Sequence, residues 1–385
     1  MQRWVTLSVI NIMFLTFAFA FQSVPPVLNM ITAEFDLTHA QAGLLMSLFA
    51  LPGIIISIPA GHLTDRYGQK NIGIASLVLI IIGSTIFASG SSFIILALGR
   101  IISGIGAMTI SVIAPRLVAQ WFTGRQLGIA MGIFNAVMPL GTVLSLNLLS
   151  ILGKSFGWRS SIWLCVLITI VALIVFAIVY SPARQTRQQI PSASIGFIHS
   201  LGPVGISVWL VGAIWMFYNA AFTSLMTFTP SFLKVSGFLI TEAGFLTSVM
   251  MLPSIVLGPT IGFLVGKFNH KSIFIIAGSL IWTIIISFIP VSGTFIFAPM
   301  ILVGLTASIM TVPTYALMVD VTDSEKLGLA YGIMSTTMNL GILAGPALTG
   351  LIIDVTDSYQ VSYYLISGFS LMIALSAFVL VRKRN

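Results

Sequence analysis

Charge is scarce in this chain. Of 385 residues only 7% are Asp, Glu, Lys or Arg, while 57% are apolar, and the mean hydropathy is +1.09. A soluble domain carries roughly 25% charged residues, so this chain cannot cover a water-facing surface. Cysteine is scarcer still. Cys165 is the only one, which excludes an internal disulfide; it lies in an apolar run and reads as a small packing residue. Acidic residues number nine, and none lies well inside an apolar run. There is no metal-ligand cluster, no nucleophile–base pairing and no phosphate-cradling loop. These absences argue against an enzyme, against an ATP-driven machine and against any bound cofactor.

What the chain has is long apolar runs. Val5 to Ile31 contains no charged residue. About 20 such residues cross a bilayer as a helix, and only helices and closed barrels satisfy the backbone there. Barrel strands would read as alternating segments of about ten residues, so helices are expected. The first run is too long for a secretory signal, whose apolar stretch is about 7–15 residues, and is expected to be retained. Breaks in hydropathy predict twelve spans, at 5–30, 40–60, 71–90, 93–119, 126–151, 159–180, 204–229, 241–265, 272–290, 294–319, 327–352 and 360–381. Twelve spans put both termini on one side. Of the 17 basic residues, Lys154, Arg159 and Lys234 fall in loops on the opposite side and Arg100 falls inside a span; the rest fall on the terminal side. By the positive-inside rule the termini are cytoplasmic. The net charge of +8 therefore reads as topogenic rather than as a nucleic-acid footprint. A multi-pass protein of the cell membrane, in contact with lipid and acting as a monomer, is expected.

The polar stretch 181–203, with prolines and two arginines, predicts a cytoplasmic linker between bundles at 1–180 and 204–385. The two halves resemble each other. RQLGIAMGI at 125–133 matches EKLGLAYGI at 325–333, GHLTDRYGQK at 61–70 matches GFLVGKFNHK at 262–271, and Ala42-Gly43 matches Ala243-Gly244. The segment 61–70 resembles the signature loop of the major facilitator superfamily, G-x-x-x-D-R-x-G-R-R/K, through Gly61, Asp65, Arg66, Gly68 and Lys70, with Gln69 replacing one basic residue. That resemblance covers the whole chain. It implies an all-α membrane fold of two pseudo-symmetric six-helix bundles, carrying a small solute by rocker-switch alternating access. It also implies a gating role for the loop: Asp65 accepts hydrogen bonds from the N-terminus of the eleventh span, Gly61 permits close helix approach, Gly68 a tight turn, and Arg66 and Lys70 meet lipid phosphate or nearby acids.

Arg100 resembles a second family motif, R-x-x-x-G-x-G, with Gly104 and Gly106 and with Ser103 where the family often has Gln. A charge at this depth costs at least about 2.5–3.5 kcal/mol unless paired or hydrated. It is either a solute contact or a structural arginine bonded to helix carbonyls. Amides, hydroxyls and rings at Asn11, Gln22, Asn135, Tyr218, Asn219 and Asn339 suit a moderately polar solute. In the resembling fold, spans 1, 4, 7 and 10 line the pathway, with 2, 5, 8 and 11 beside them. The run from Pro115 to Ala136 is similar to small-anion and cyanate-type branches, though the glycine-rich signature of nitrate carriers is missing. A small organic or inorganic anion is the expected solute. The alternative, proton-driven export of hydrophobic compounds, lacks its buried acid, and Met138 precedes Pro139 where drug exporters have a Gly-Pro pair. Reporter fusions test the topology: a fusion after residue 190 should be active in a cytoplasmic reporter, and one after Lys154 in an external reporter.

Overall fold

The computed structural model describes residues 2–181, 205–253, 271–323 and 326–384; the side chains at 57–62, 65, 124–125, 294, 328 and 384 are outside the described set. The described residues contain helices and no strand. In chain order the helices are α1 (Gln2–Phe21), α2 (Leu28–Phe35), α3 (His39–Ser47), α4 (Leu51–Tyr67), α5 (Gln69–Ala88), α6 (Phe93–Trp121) and α7 (Gly124–Phe156). There follow α8 (Trp158–Val179), α9 (Ile206–Val235), α10 (Ile240–Val249), α11 (Lys271–Phe288), α12 (Phe297–Asp320), α13 (Leu327–Thr356) and α14 (Tyr359–Arg384). Among the described residues, eleven spans are long and apolar enough to cross a membrane. The expected eighth span runs into 254–270 and the expected linker into 182–204, both outside the described residues.

The chain forms two compact units. One contains Met1–Leu37 and Leu48–Ser192, the other Thr38–Ser47 and Ala193–Asn385. Segment α3 thus packs with the second unit, although the chain continues directly from it into α4.

Lipid offers helices no hydrophobic reason to associate, so they hold together by close backbone approach at small residues. In the first unit α5 and α6 meet at Gly83, Gly99 and Gly106, where an added Cβ would overlap the backbone of Ser103, Gly83 and Ser76 respectively. In the second unit α9 and α13 meet in the same way. Gly341 lies on the Met216 carbonyl, Gly345 on Ala220, and Gly212 on Thr337.

Among the described residues, three of the predicted spans are interrupted. The first divides after Phe21, where Pro25-Pro26-Val27 forms a 3-10 turn before α2. The second divides at Leu48–Ala50, just before Leu51-Pro52. The repeat reproduces this joint: α10 ends at Val249 and the chain turns at Met250-Met251, before Leu252-Pro253. Each joint is braced alike, Gly104 of α6 lying on the Phe49 carbonyl and Gly304 of α12 on that of Met250.

Among the described residues, two corners have no loop at all. Gly68 (φ 84°, ψ 147°) alone joins α4 to α5, and Gly157 (φ 83°, ψ 159°) alone joins α7 to α8. That backbone region is essentially closed to any residue with a Cβ.

Gly341→Val should sharply lower the yield and melting temperature of purified protein, because the obstacle is backbone. Gly132→Ala, which points into open space within helix α7, should be neutral or stabilise by about 0.5–1 kcal/mol.

Candidate functional site

In the first unit the polar centre is built around the broken end of α1. A helix leaves its last four carbonyls without intrahelical donors, and a proline removes one more donor from the carbonyl four residues before it. Pro25 and Pro26 thus free the carbonyls of Phe21 and Gln22. Side chains from three other helices answer them. Arg100 Nη1 donates to the Ala20 carbonyl (2.8 Å) and to Ser23 Oγ (3.3 Å), and Nη2 donates to the Phe21 carbonyl (3.3 Å). Ser145 Oγ donates to the Gln22 carbonyl (3.2 Å), and the Cys165 thiol to that of Phe19 (3.9 Å). The guanidinium also lies 4.4 Å from the centre of the Phe49 ring, at the α3–α4 joint. Arg100 is 2% exposed. Arg100 thus holds helix carbonyls, which is one of the two arrangements its sequence context left open.

Around this anchor Phe14, Phe17, Phe21 and Phe49 form a continuous run of ring contacts. Gln22 is buried, and its side-chain Oε1 has no hydrogen-bond partner. Asn11 Oδ1 is likewise buried without a partner. Asn135 is exposed, on the side of α7 opposite the exposed Leu144, from which it lies nine residues, two and a half turns, away.

In the second unit, Trp215 and Tyr218 of α9 stack at 5.0 Å and 6°, and Tyr218 stacks in turn on Trp282 of α11 at 5.5 Å. Tyr315 of α12 stands edge-on to Trp215 at 4.9 Å. Tyr331 of α13 lies beside Tyr315 and donates from its hydroxyl to the Tyr315 carbonyl (3.2 Å). Tyr331 is nine residues from the exposed Leu340, so it lies on the opposite side of its helix from that residue. Asn219 Nδ2 donates to the Trp215 carbonyl (2.8 Å) and Asn339 Nδ2 to that of Ser335 (2.9 Å). Asn339 is 1% exposed, and its Oδ1 has no partner.

Three of the acids are engaged at helix ends. Glu34 accepts from Trp158 Nε1 and Arg159 Nη1, both at 2.6 Å. Lys271 Nζ pairs with Asp320 at 2.7 Å, and Glu242 caps the N-terminus of α10. Of the loop motif, Gly61 and Asp65 have side chains outside the described residues, as does the second copy at 262–271 except for Lys271. Arg66 lies over the ring of its neighbour Tyr67 at 5.3 Å, Gly68 forms the corner described above, and Lys70 is partly exposed.

Two bundles of apolar helices with polar, ring-lined interior faces are a carrier's architecture, and the comparisons with known proteins agree. The chain matches the family profile described as Major Facilitator Superfamily over residues 10–244 and 236–385. The chain belongs to that superfamily. It is 24% identical over 362 residues to a nitrite extrusion protein of Bacillus subtilis, spanning 92% of this chain and 87% of the relative. It is 26% identical over 379 residues to a hexuronate transporter of the same organism, spanning 91% and 87%. A lysosomal dipeptide transporter of Homo sapiens is 24% identical over 354 residues, spanning 85% and 75%. Among solved structures, the nucleoside transporter NupG superposes with a TM-score of 0.82 at 12% identity, covering 98% of this chain and 99% of that one, which establishes the fold. The protein is a multi-pass membrane transporter of small solutes, and not an enzyme.

Sequence reasoning missed two things at this site. The amide oxygens left without donors depend on what each helix packs against, which no local pattern encodes. The Phe49 contact to Arg100 depends on the helix joint, whose only local signal is Leu51-Pro52.

Arg100→Ala should destabilise the folded protein by about 1–3 kcal/mol, the cost of orphaning a buried polar group, read as a lower melting temperature in detergent. An Arg100→Ala protein with unchanged melting but no transport would instead mark Arg100 as a solute contact.

Proposed function

We propose that this superfamily member is a secondary carrier of a small organic anion bearing hydrogen-bond donors, such as a hydroxylated carboxylate, and that it works by rocker-switch alternating access with both termini in the cytoplasm. The observation that carries this reading is the set of three buried amide oxygens, on Asn11, Gln22 and Asn339, each without a donor. Buried polar groups are almost always satisfied, and these three are acceptors. A solute supplying hydroxyl or ammonium donors suits them; a bare inorganic anion does not. The ring wall of Trp215, Tyr218, Tyr315 and Tyr331 favours the same class, since rings give carbon skeletons a face to lie on.

The anionic part of the reading is supported by the positive charge of Arg100 behind the Phe21–Ser23 turn, and by relatives named for nitrite and hexuronate. Arg100 acts here as a positioning residue, its charge contributing a field rather than a direct contact. Asn135, Tyr218 and Asn219 complete the proposed solute-facing set, and Gly61, Asp65, Arg66, Gly68 and Lys70 the proposed gate. Proton-driven export of hydrophobic compounds is not favoured, because the carboxylates of Glu34, Asp320 and Glu242 are tied up at helix ends.

Uptake by proteoliposomes of a panel of hexuronate, dipeptide and nitrite should show saturable transport of the hydroxylated acid. Gln22→Leu and Asn339→Leu should each raise its half-saturating concentration by roughly threefold to tenfold, the worth of one hydrogen bond. Transport of nitrite alone, unaffected by either substitution, would overturn the reading.

A further inference from the structure

Segment α3 is held to the second unit by a contact that neither the repeat nor the loop motif points to. Asp354 lies in the last turn of α13, where the helix dipole disfavours an acid. Its carboxylate lies instead on the N-terminus of α3. The His39 backbone N–H donates to Oδ1 at 2.7 Å and that of Ala40 to Oδ2 at 2.8 Å. The His39 ring Nδ1 is 2.9 Å from the same Oδ1. The next N–H is answered from within α3: Gln41 N donates to Thr38 Oγ1 at 3.2 Å, while Thr38 N donates to Gln41 Oε1 at 3.0 Å. This is a capping box. The orphan donors of α3 are therefore divided between its own cap and a carboxylate 315 residues away.

The backbones are as close as glycine allows. A Cβ on Gly43 would overlap the Pro346 carbonyl, and one on Gly350 would overlap that of His39. Tyr359 of α14 closes the far side, its ring at right angles to His39 with centroids 5.7 Å apart.

We propose that Asp354 and His39 form a releasable clasp, made in one conformation of the transport cycle and broken in the other. Three features favour release over permanent attachment. The polar contacts lie at helix ends and are partly exposed, with side-chain exposures of 39% for His39 and 24% for Asp354, so separation strands no buried donor. The capping box gives α3 a cap of its own that does not depend on Asp354. The joint at Leu48–Ala50 lets α3 move without unwinding α4. Asp354 and His39 are thus positioning residues for the transport step, setting how long the carrier stays clasped. The proposal rests on the transport reading, so its primary test uses no solute.

Ser47, one turn on from Gly43, is fully buried, and a Ser47→Cys variant is nearly isosteric. The only other thiol, Cys165, is also buried, which leaves a quiet background. In purified protein, a hydrophilic maleimide should label Ser47→Cys slowly. It should label Ser47→Cys with Asp354→Asn roughly tenfold faster, equivalent to about 1.4 kcal/mol of clasp energy. In a second test, His39→Cys with Asp354→Cys should crosslink under oxidation in the resting protein. The crosslinked carrier should not transport until a reductant is added. Unchanged labelling with Asp354→Asn, failure to crosslink, or full transport by the crosslinked form would each overturn the clasp. If no solute in the panel is carried but the labelling shift holds, the function assignment falls and the clasp stands.

Discussion

A backbone carbonyl inside a membrane has no water to turn to, and the structure is organised around that constraint. Where a helix breaks, something must be brought to its exposed oxygens. The break after Phe21 is forced by Pro25 and Pro26, and it explains why α6 carries an arginine, α7 a serine and α8 a thiol at the depths they do. An unpaired arginine at that depth would be a heavy cost; one that donates to two carbonyls and a hydroxyl while lying against Phe49 converts the cost into a tie between helices. The polar interior of the first unit is thus a by-product of satisfying its own backbone, with Gln22 beside the break as its spare acceptor.

The second unit solves the same problem differently. Met300 stands where Arg100 would fall in the repeat, and the shared elements are the helix joint and the glycine lying against it, Gly304 repeating Gly104. In place of a buried cation this unit has stacked rings, with Tyr218 and Trp215 packed on Trp282 and Tyr315. Duplication kept the geometry and let the chemistry diverge.

Much of the fold was legible in the sequence because the bilayer imposes it: run length, loop charge and the 200-residue repeat each carry a direct physical meaning. That Arg100 would bond to helix carbonyls was one of two readings the sequence left open, since a lone deep charge admits few explanations. The clasp was not. His39 and Asp354 each read as an ordinary residue near a span end, and only folding brings them together across 315 positions. The joint before Leu51-Pro52 was hidden for a related reason. Hydropathy does not change across it, so periodicity passes straight through a break that Gly104 and Phe49 hold in three dimensions. Nor do residue types reveal which amides keep a spare oxygen: Asn219 and Asn339 look alike in the sequence and both donate to a carbonyl four residues back, yet only Asn339 Oδ1 is buried without a partner.

The single-residue corners at Gly68 and Gly157 bear on how force travels through the molecule. With one residue between α4 and α5, and one between α7 and α8, a load passing from either helix to the next is carried by a single φ/ψ pair, in a backbone region that only glycine occupies readily.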